Sequence, residues 1–187
     1  MSDPNKIGDL EVDVLLVKEG LTLETTVEED LRFPATLIRQ GATTKPDFDI
    51  TELALMFPDN AETEIAYMVA QMPHSWKAGS GIEPHVHIKQ EGSDQAVFYL
   101  EYKWLELGEA IPAAFTTITL DQYVFDYVSG DLHQMIYSSV PIDGSGKTES
   151  SILLMRLYRA NDDDVTGDVA VYEFDIHYQV EKLGKNV

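Results

Sequence analysis

Three of the chain's five histidines fall between Met72 and Gln95, in the stretch MPHSWKAGSGIEPHVHIKQEGSDQ. His85 and His87 stand two apart, so on an extended strand both side chains leave the same face. Glu91 follows in the same stretch, and His133 closes the later segment Gly130-Asp131-Leu132-His133. Two imidazoles, a carboxylate and a third imidazole from a neighbouring strand form a donor set that suits iron, manganese or zinc. The competing use is structural: a polar strand face on which His85 and His87 bond to their neighbours or meet another subunit. We favour the structural use and expect no metal and no cofactor. His85, His87, Glu91 and His133 are the residues a metal would take.

Other groups have chemical potential on paper. Gly144-Ser145-Gly146-Lys147-Thr148 has the look of a phosphate-binding loop, but Pro141 occupies the first glycine position. The residues from Ile152 to Tyr158 make a weak helix, so no helix N-terminus is secured to hold phosphate. A hairpin loop accounts for the segment. Asn161-Asp162-Asp163-Asp164, with Asp168, offers carboxylates to calcium, yet lacks the turn glycine and terminal glutamate of an EF-hand loop. We read it as a solvated turn. Glu173, Asp175 and His177 share one face of the last strand, which an acid-rich outer surface explains as well as catalysis does. No serine sits in a nucleophile-elbow context. The chain has no cysteine, which removes disulfides, thiolate zinc sites and thiol nucleophiles. We expect a protein that is not an enzyme.

Gly79 precedes His85-Val86-His87 by five residues, and three more lead to Glu91. This order resembles the first half of the cupin motif, and Gly130-Asp131-Leu132-His133 resembles the core of its second half. The resemblance implies a metal-dependent enzyme as an alternative function. The sequence departs from the motif at Phe98, where a glycine is expected, and at Val128, where a proline is expected. The asparagine after His133 is also missing.

The elements that must carry these residues read as strands. The charge is −20, from 13 basic and 33 acidic side chains. That argues against nucleic-acid phosphates and anionic lipid, and favours a cationic partner surface or divalent cations. No apolar run approaches the ~20 residues of a membrane span, and the first residues do not read as a signal peptide. Residues 1–11 read as an arm, and residues 12–187 as one domain. Alternation marks strands at 12–16 and 21–27, with Glu28-Glu29-Asp30 ending the second. Pro34 makes 31–38 an edge strand or loop. The runs 53–57 and 64–72 read as a hairpin around Pro58-Asp59-Asn60.

Further strands are expected at 96–107, 115–120, 122–128, 132–140 and 151–159. Between Ala170 and Val180 the even residues point one way and the odd ones the other. Roughly nine or ten strands with turns between them and no convincing helix predict an all-β, antiparallel, jelly-roll-like β-sandwich.

Several segments together resemble a family of bacteriophage and prophage virion structural proteins. They are Glu29-Asp30-Leu31-Arg32-Phe33-Pro34, Gln71-Met72-Pro73-His74-Ser75-Trp76-Lys77, Glu83-Pro84-His85-Val86-His87, Leu100-Glu101-Tyr102 and Glu173-Phe174-Asp175-Ile176-His177-Tyr178-Gln179-Val180, with Leu183-Gly184 after them. They occur in order across most of residues 28–184. Ile88 stands where an aromatic is expected, and the tail after Gly184 is short. The resemblance implies a virion location and no catalytic residues. It suits a capsid decoration (cement) protein bound to the major capsid protein, or a tail or head-fibre attachment protein. A homo-oligomer is expected, with trimer the favoured state, and neither nucleic acid nor membrane as partner. Trp76, His85, His87 and Tyr178 are the expected interface residues.

Overall fold

In a computed structural model the described residues are 21–59, 64–90, 94–124, 133–161 and 163–183. They form strands and loops, with no helix among them. The strands are β1 (Leu21–Pro34), β2 (Arg39–Gln40), β3 (Asp47–Asp49), β4 (Ala54–Phe57), β5 (Ala66–Gln71) and β6 (Ile82–Gln90). They continue with β7 (Phe98–Leu105), β8 (Thr116–Leu120), β9 (Gln122–Tyr123), β10 (Gln134–Tyr137), β11 (Ile152–Arg159) and β12 (Val169–Leu183).

Every pairing between them is antiparallel. One sheet runs β3-β4-β12-β6-β10-β9, with β1 also on β12; the other runs β2-β5-β11-β7-β8. The all-β sandwich read from the sequence is the observed architecture. The 12–16 strand and the 1–11 arm lie outside the described residues, as do most of 122–128 and the start of 132–140.

Alternation explains which face of each strand is buried. In β5, Ala66, Met68 and Ala70 turn inward, and in β11 Leu153, Met155 and Leu157 do so. Phe98, Leu100 and Trp104 supply the inner face of β7. Across the gap stand Leu55 and Phe57 of β4, Val86 and Ile88 of β6, and Phe174, Ile176 and Val180 of β12. Phe57 meets Phe98 edge to face at 5.4 Å, which joins the two sheets through their aromatic rings.

Three features differ from the sequence expectations. First, β1 does not stop at the acidic triplet. It continues to Pro34, and its carboxylates find partners on β12 on both faces: Asp30 pairs with His177 at 3.1 Å, and Glu29 accepts the Tyr178 hydroxyl at 2.8 Å. Second, β4 and β5 are not a hairpin. Val169–Val171 of β12 pair with β4, whereas β11 pairs with β5, so the two runs belong to different sheets.

Third, a register shift between Val171 and Glu173 breaks the alternation of β12. Before it the odd residues Val169 and Val171 join the core; after it the even residues Phe174, Ile176, Tyr178 and Val180 do. An extra residue at a bulge inverts the facing of one half of a strand relative to the other. Tyr172 and Glu173 therefore both turn to the polar side.

The loop 141–146 closes one end of the core. Trp76 stacks on Trp104 at 6.0 Å and donates to Ser80 Oγ at 3.0 Å; the Trp104 indole donates to the Asp143 carbonyl at 3.0 Å. A Cβ on Gly144 would lie 2.1 Å from the Ser80 carbonyl oxygen and 2.9 Å from the Trp76 ring. Glycine is required there by close approach, so the Gly144-Ser145-Gly146 run is a packing loop; it is not the hairpin loop expected, because it crosses from β10 in one sheet to β11 in the other.

Candidate functional site

The polar face of the first sheet gathers the titratable residues. β6 lies between β12 and β10. Its His85 is the cross-strand partner of Asp175 and Tyr137; its His87 is the partner of Glu173 and Met135. β1 lies on the other side of β12, where Asp30 faces His177 and Arg32 faces Asp175. The odd residues of β10, β6 and β12 and the even residues of β1 thus converge on one surface, while their alternate neighbours fill the core.

At its centre is Asp175, only 5% exposed at its side chain. Its Oδ2 lies 3.5 Å from His85 Nε2 and 3.3 Å from His87 Nε2. Its Oδ1 is buried with no hydrogen-bond partner. Burial pushes the Asp175 carboxyl up, but the His85 and His87 imidazoles outweigh burial and hold it below the usual carboxylate range. One donor atom each from His85, His87 and Asp175 lies within 4.8 Å of the other two.

His133 Nε2 sits 2.7 Å from His87 Nδ1, with the rings stacked at 4.9 Å. Burial, then the neighbouring His87, pushes His133 below its ordinary pKa and favours a neutral ring. His177 packs its ring 4.3 Å from that of His85. Arg32 forms a two-pronged pair with Glu173 at 2.9 and 2.7 Å. A cleft of about 520 Å³ opens over this face, lined by Asp30, Arg32, His87, His133, Tyr172 and Glu173, with Asp175 at its floor.

His85, His87 and His133, singled out in the sequence, do come together. Glu91 lies outside the described residues, and the carboxylate beside the histidines is Asp175. The sequence offered a signal for it: outward odd residues on two strands whose cross-strand partners are an acid and a histidine. What it lacked was the pairing of β12 with β6.

Three expected interface residues are corrected. Trp76 is fully buried beneath Trp104, Tyr178 is buried in the core with its hydroxyl on Glu29, and His85 is 2% exposed. None of the three has surface to offer a partner; His87 alone of the four is half-buried. The acidic turn is also partly spoken for. Asp163 holds the fully buried Arg159 through two contacts of 2.7 Å.

No protein-family model and no curated protein matches the chain. Solved structures of similar arrangement have low identity. One is the CBM36-1 domain of a multidomain xylanase from the hindgut metagenome of Trinervitermes trinervoides. It is 8% identical over 85% of this chain and 100% of that one, with a TM-score of 0.45. Another is an isomalto-dextranase of Arthrobacter globiformis T6 complexed with panose, 11% identical over 79% of this chain and 23% of that one, at 0.44. A third, weaker likeness is to Desmodium yellow mottle tymovirus, 10% identical over 96% of this chain and 100% of that one, at 0.24.

Proposed function

We propose that the chain is a structural, non-enzymatic component of a bacteriophage virion, a decoration protein that self-associates as a trimer and seats on the outer capsid surface. One observation carries this reading. Four of the five segments that resemble virion proteins are far apart in sequence yet adjacent in space, while Leu100-Glu101-Tyr102 lies on β7 of the second sheet. Glu29–Pro34 lies in β1, Glu83–His87 in β6 and Glu173–Val180 in β12, three neighbouring strands. The segment 71–77 docks on the same strand: Trp76 bridges to Val180, and the Lys77 amide donates to the Gln179 carbonyl at 2.7 Å. A resemblance that clusters on neighbouring strands of one sheet and reaches the other belongs to the whole fold rather than to a stray motif.

The β3–β4 hairpin supports a partner-binding role. Its tip presents Ile50 and Leu53, 81% and 55% exposed, on an otherwise acidic protein. Leu53 holds a φ of 55°, a left-handed conformation that costs a leucine on the order of 1 kcal/mol or more. A strained, exposed apolar residue is the kind of feature a contact retains. Because copies with this charge repel one another, subunit contacts must be apolar at their centre, and shell contacts must meet basic patches.

Purified protein mixed with undecorated capsids should bind in many copies and raise the melting temperature of the shell, since a ligand of the assembled lattice stabilises it by mass action. Binding to tails or head fibres alone would move the assignment to an attachment protein. No binding to any particle would overturn it.

A metal-dependent enzyme of cupin type is the second reading, favoured by the convergence of His85, His87 and His133. It predicts a chain absent from purified virions and a small-molecule substrate in the cleft above Asp175.

A further inference from the structure

We propose that His85 Nε2, His87 Nε2 and a carboxylate oxygen of Asp175 bind one divalent first-row transition ion, zinc-like in its demands, with His133 orienting His87. The site goes beyond the virion reading and stands apart from it, because such an ion can clip two strands of a structural sandwich as well as serve a reaction.

The spacing carries the argument. Around a tetrahedral ion with bonds of ~2.1 Å, neighbouring ligand atoms stand ~3.4 Å apart. The two imidazole-to-carboxylate separations are 3.5 and 3.3 Å, and all three donor atoms lie within 4.8 Å of one another, so the two imidazoles draw closer when they share an ion. Both are longer than the ~2.7–3.2 Å of a good N–H···O hydrogen bond. Simple hydrogen bonding would thus be poor at both histidines and would still leave Asp175 Oδ1 unpartnered in the interior. An ion between the three groups gives that carboxylate the compensation a buried charge requires.

Donor type narrows the ion. Two imidazole nitrogens disfavour calcium and magnesium, which take oxygen, and suit zinc, cobalt, nickel or iron(II). The frame is rigid, since His85 and Asp175 are cross-strand partners in the middle of β6 and β12. Entry is through the cleft over His87 and His133.

His133 then has a defined task. If His87 binds through Nε2, its Nδ1 must carry the proton, and that N–H donates to His133 Nε2 at 2.7 Å. A partner on the far nitrogen fixes both tautomer and ring orientation of a ligating histidine.

The full chain, stripped with chelator, should bind one equivalent of zinc by calorimetry. One equivalent of cobalt(II) should give the visible absorption of a tetrahedral site. His87→Ala and Asp175→Asn should weaken zinc binding on the order of 100-fold or more, and His74→Ala, which is remote, should leave it unchanged. Removing the orienting partner of a ligand typically weakens a site ~10–100-fold, which is the loss expected for His133→Ala. His133→Gln, which keeps an acceptor there, should recover most of it.

Asp175 is buried, so Asp175→Asn can fail to fold; His87→Gln, at a half-exposed position, then decides. A wild-type protein with folded circular dichroism and no zinc or cobalt binding would overturn the site, as would unchanged binding by folded His87→Ala and His87→Gln. Unchanged affinity in His133→Ala would overturn the orienting role.

Discussion

Arg159 shows how much a single buried charge can fix. Its guanidinium is fully buried, yet every side of it is met: Asp163 takes two bonds, the carbonyls of Phe57 and Gly167 lie at 3.1 and 2.6 Å, and the Val165 carbonyl takes another. It thereby ties the end of β11 to β4 and to the turn before β12. Removing one partner of such a pair leaves an uncompensated interior charge. Asp163→Ala should therefore cost ~3–5 kcal/mol, read as a lowered urea midpoint.

Glu106 makes the opposite case at the surface. Hydrogen bonds from the Ser151 and Thr148 hydroxyls, the latter at 2.6 Å, pull its carboxyl down to about 2 from its ordinary 4.5. A depressed folded pKa contributes stability above the unfolded value that fades as pH falls through the folded one. The stability gap between wild type and Glu106→Gln should be complete above about pH 5 and close as pH falls from 4.5 toward about 2. A gap that persists at the acid end would refute the assignment.

At this scale the sequence was legible for His85 and His87, whose spacing alone puts them on one face. It misled at Trp76. A tryptophan among polar neighbours reads as exposed, and only Trp104 and the 141–146 loop, distant in sequence, bury it.

Among the elements, β12 carries most of the organisation. It pairs with β1, β4 and β6, so it sets the facing of every residue around Asp175. Period-two alternation from Phe174 to Val180 was readable, and so was the choice of strand over helix for β11. The bulge at 171–173 was not, because one additional residue in a strand leaves no mark in composition. The β4–β5 hairpin was misassigned for a related reason: a turn signal says that the chain reverses, not which sheet the next strand joins.

The β3–β4 tip yields a prediction of its own. Asp tolerates the left-handed region better than Leu, so the double substitution Ile50→Asp, Leu53→Asp should leave thermal stability within a few degrees. If the tip is a contact, the same variant should lose ~10-fold or more in binding to capsids or in self-association. Unchanged association would remove the tip from the interface.

For the molecule as a whole, two layers of strands share one apolar core and leave one polar face rich in histidine and acid. Alternation and the turn signals between strands were enough to read the class of fold. The site was half legible, since its histidines are local in sequence and its carboxylate arrives from a strand nearly ninety residues away. The net charge of −20 adds a condition on assembly. Contacts made by rim charges against basic patches should weaken as salt rises, while apolar contacts should not.

The central claim, a structural place in the virion, is tested most directly by quantitative mass spectrometry of purified particles. The account predicts this chain at a copy number comparable to that of the major capsid protein. Its absence from the particles, or its presence in only a few copies each, would contradict a decoration role.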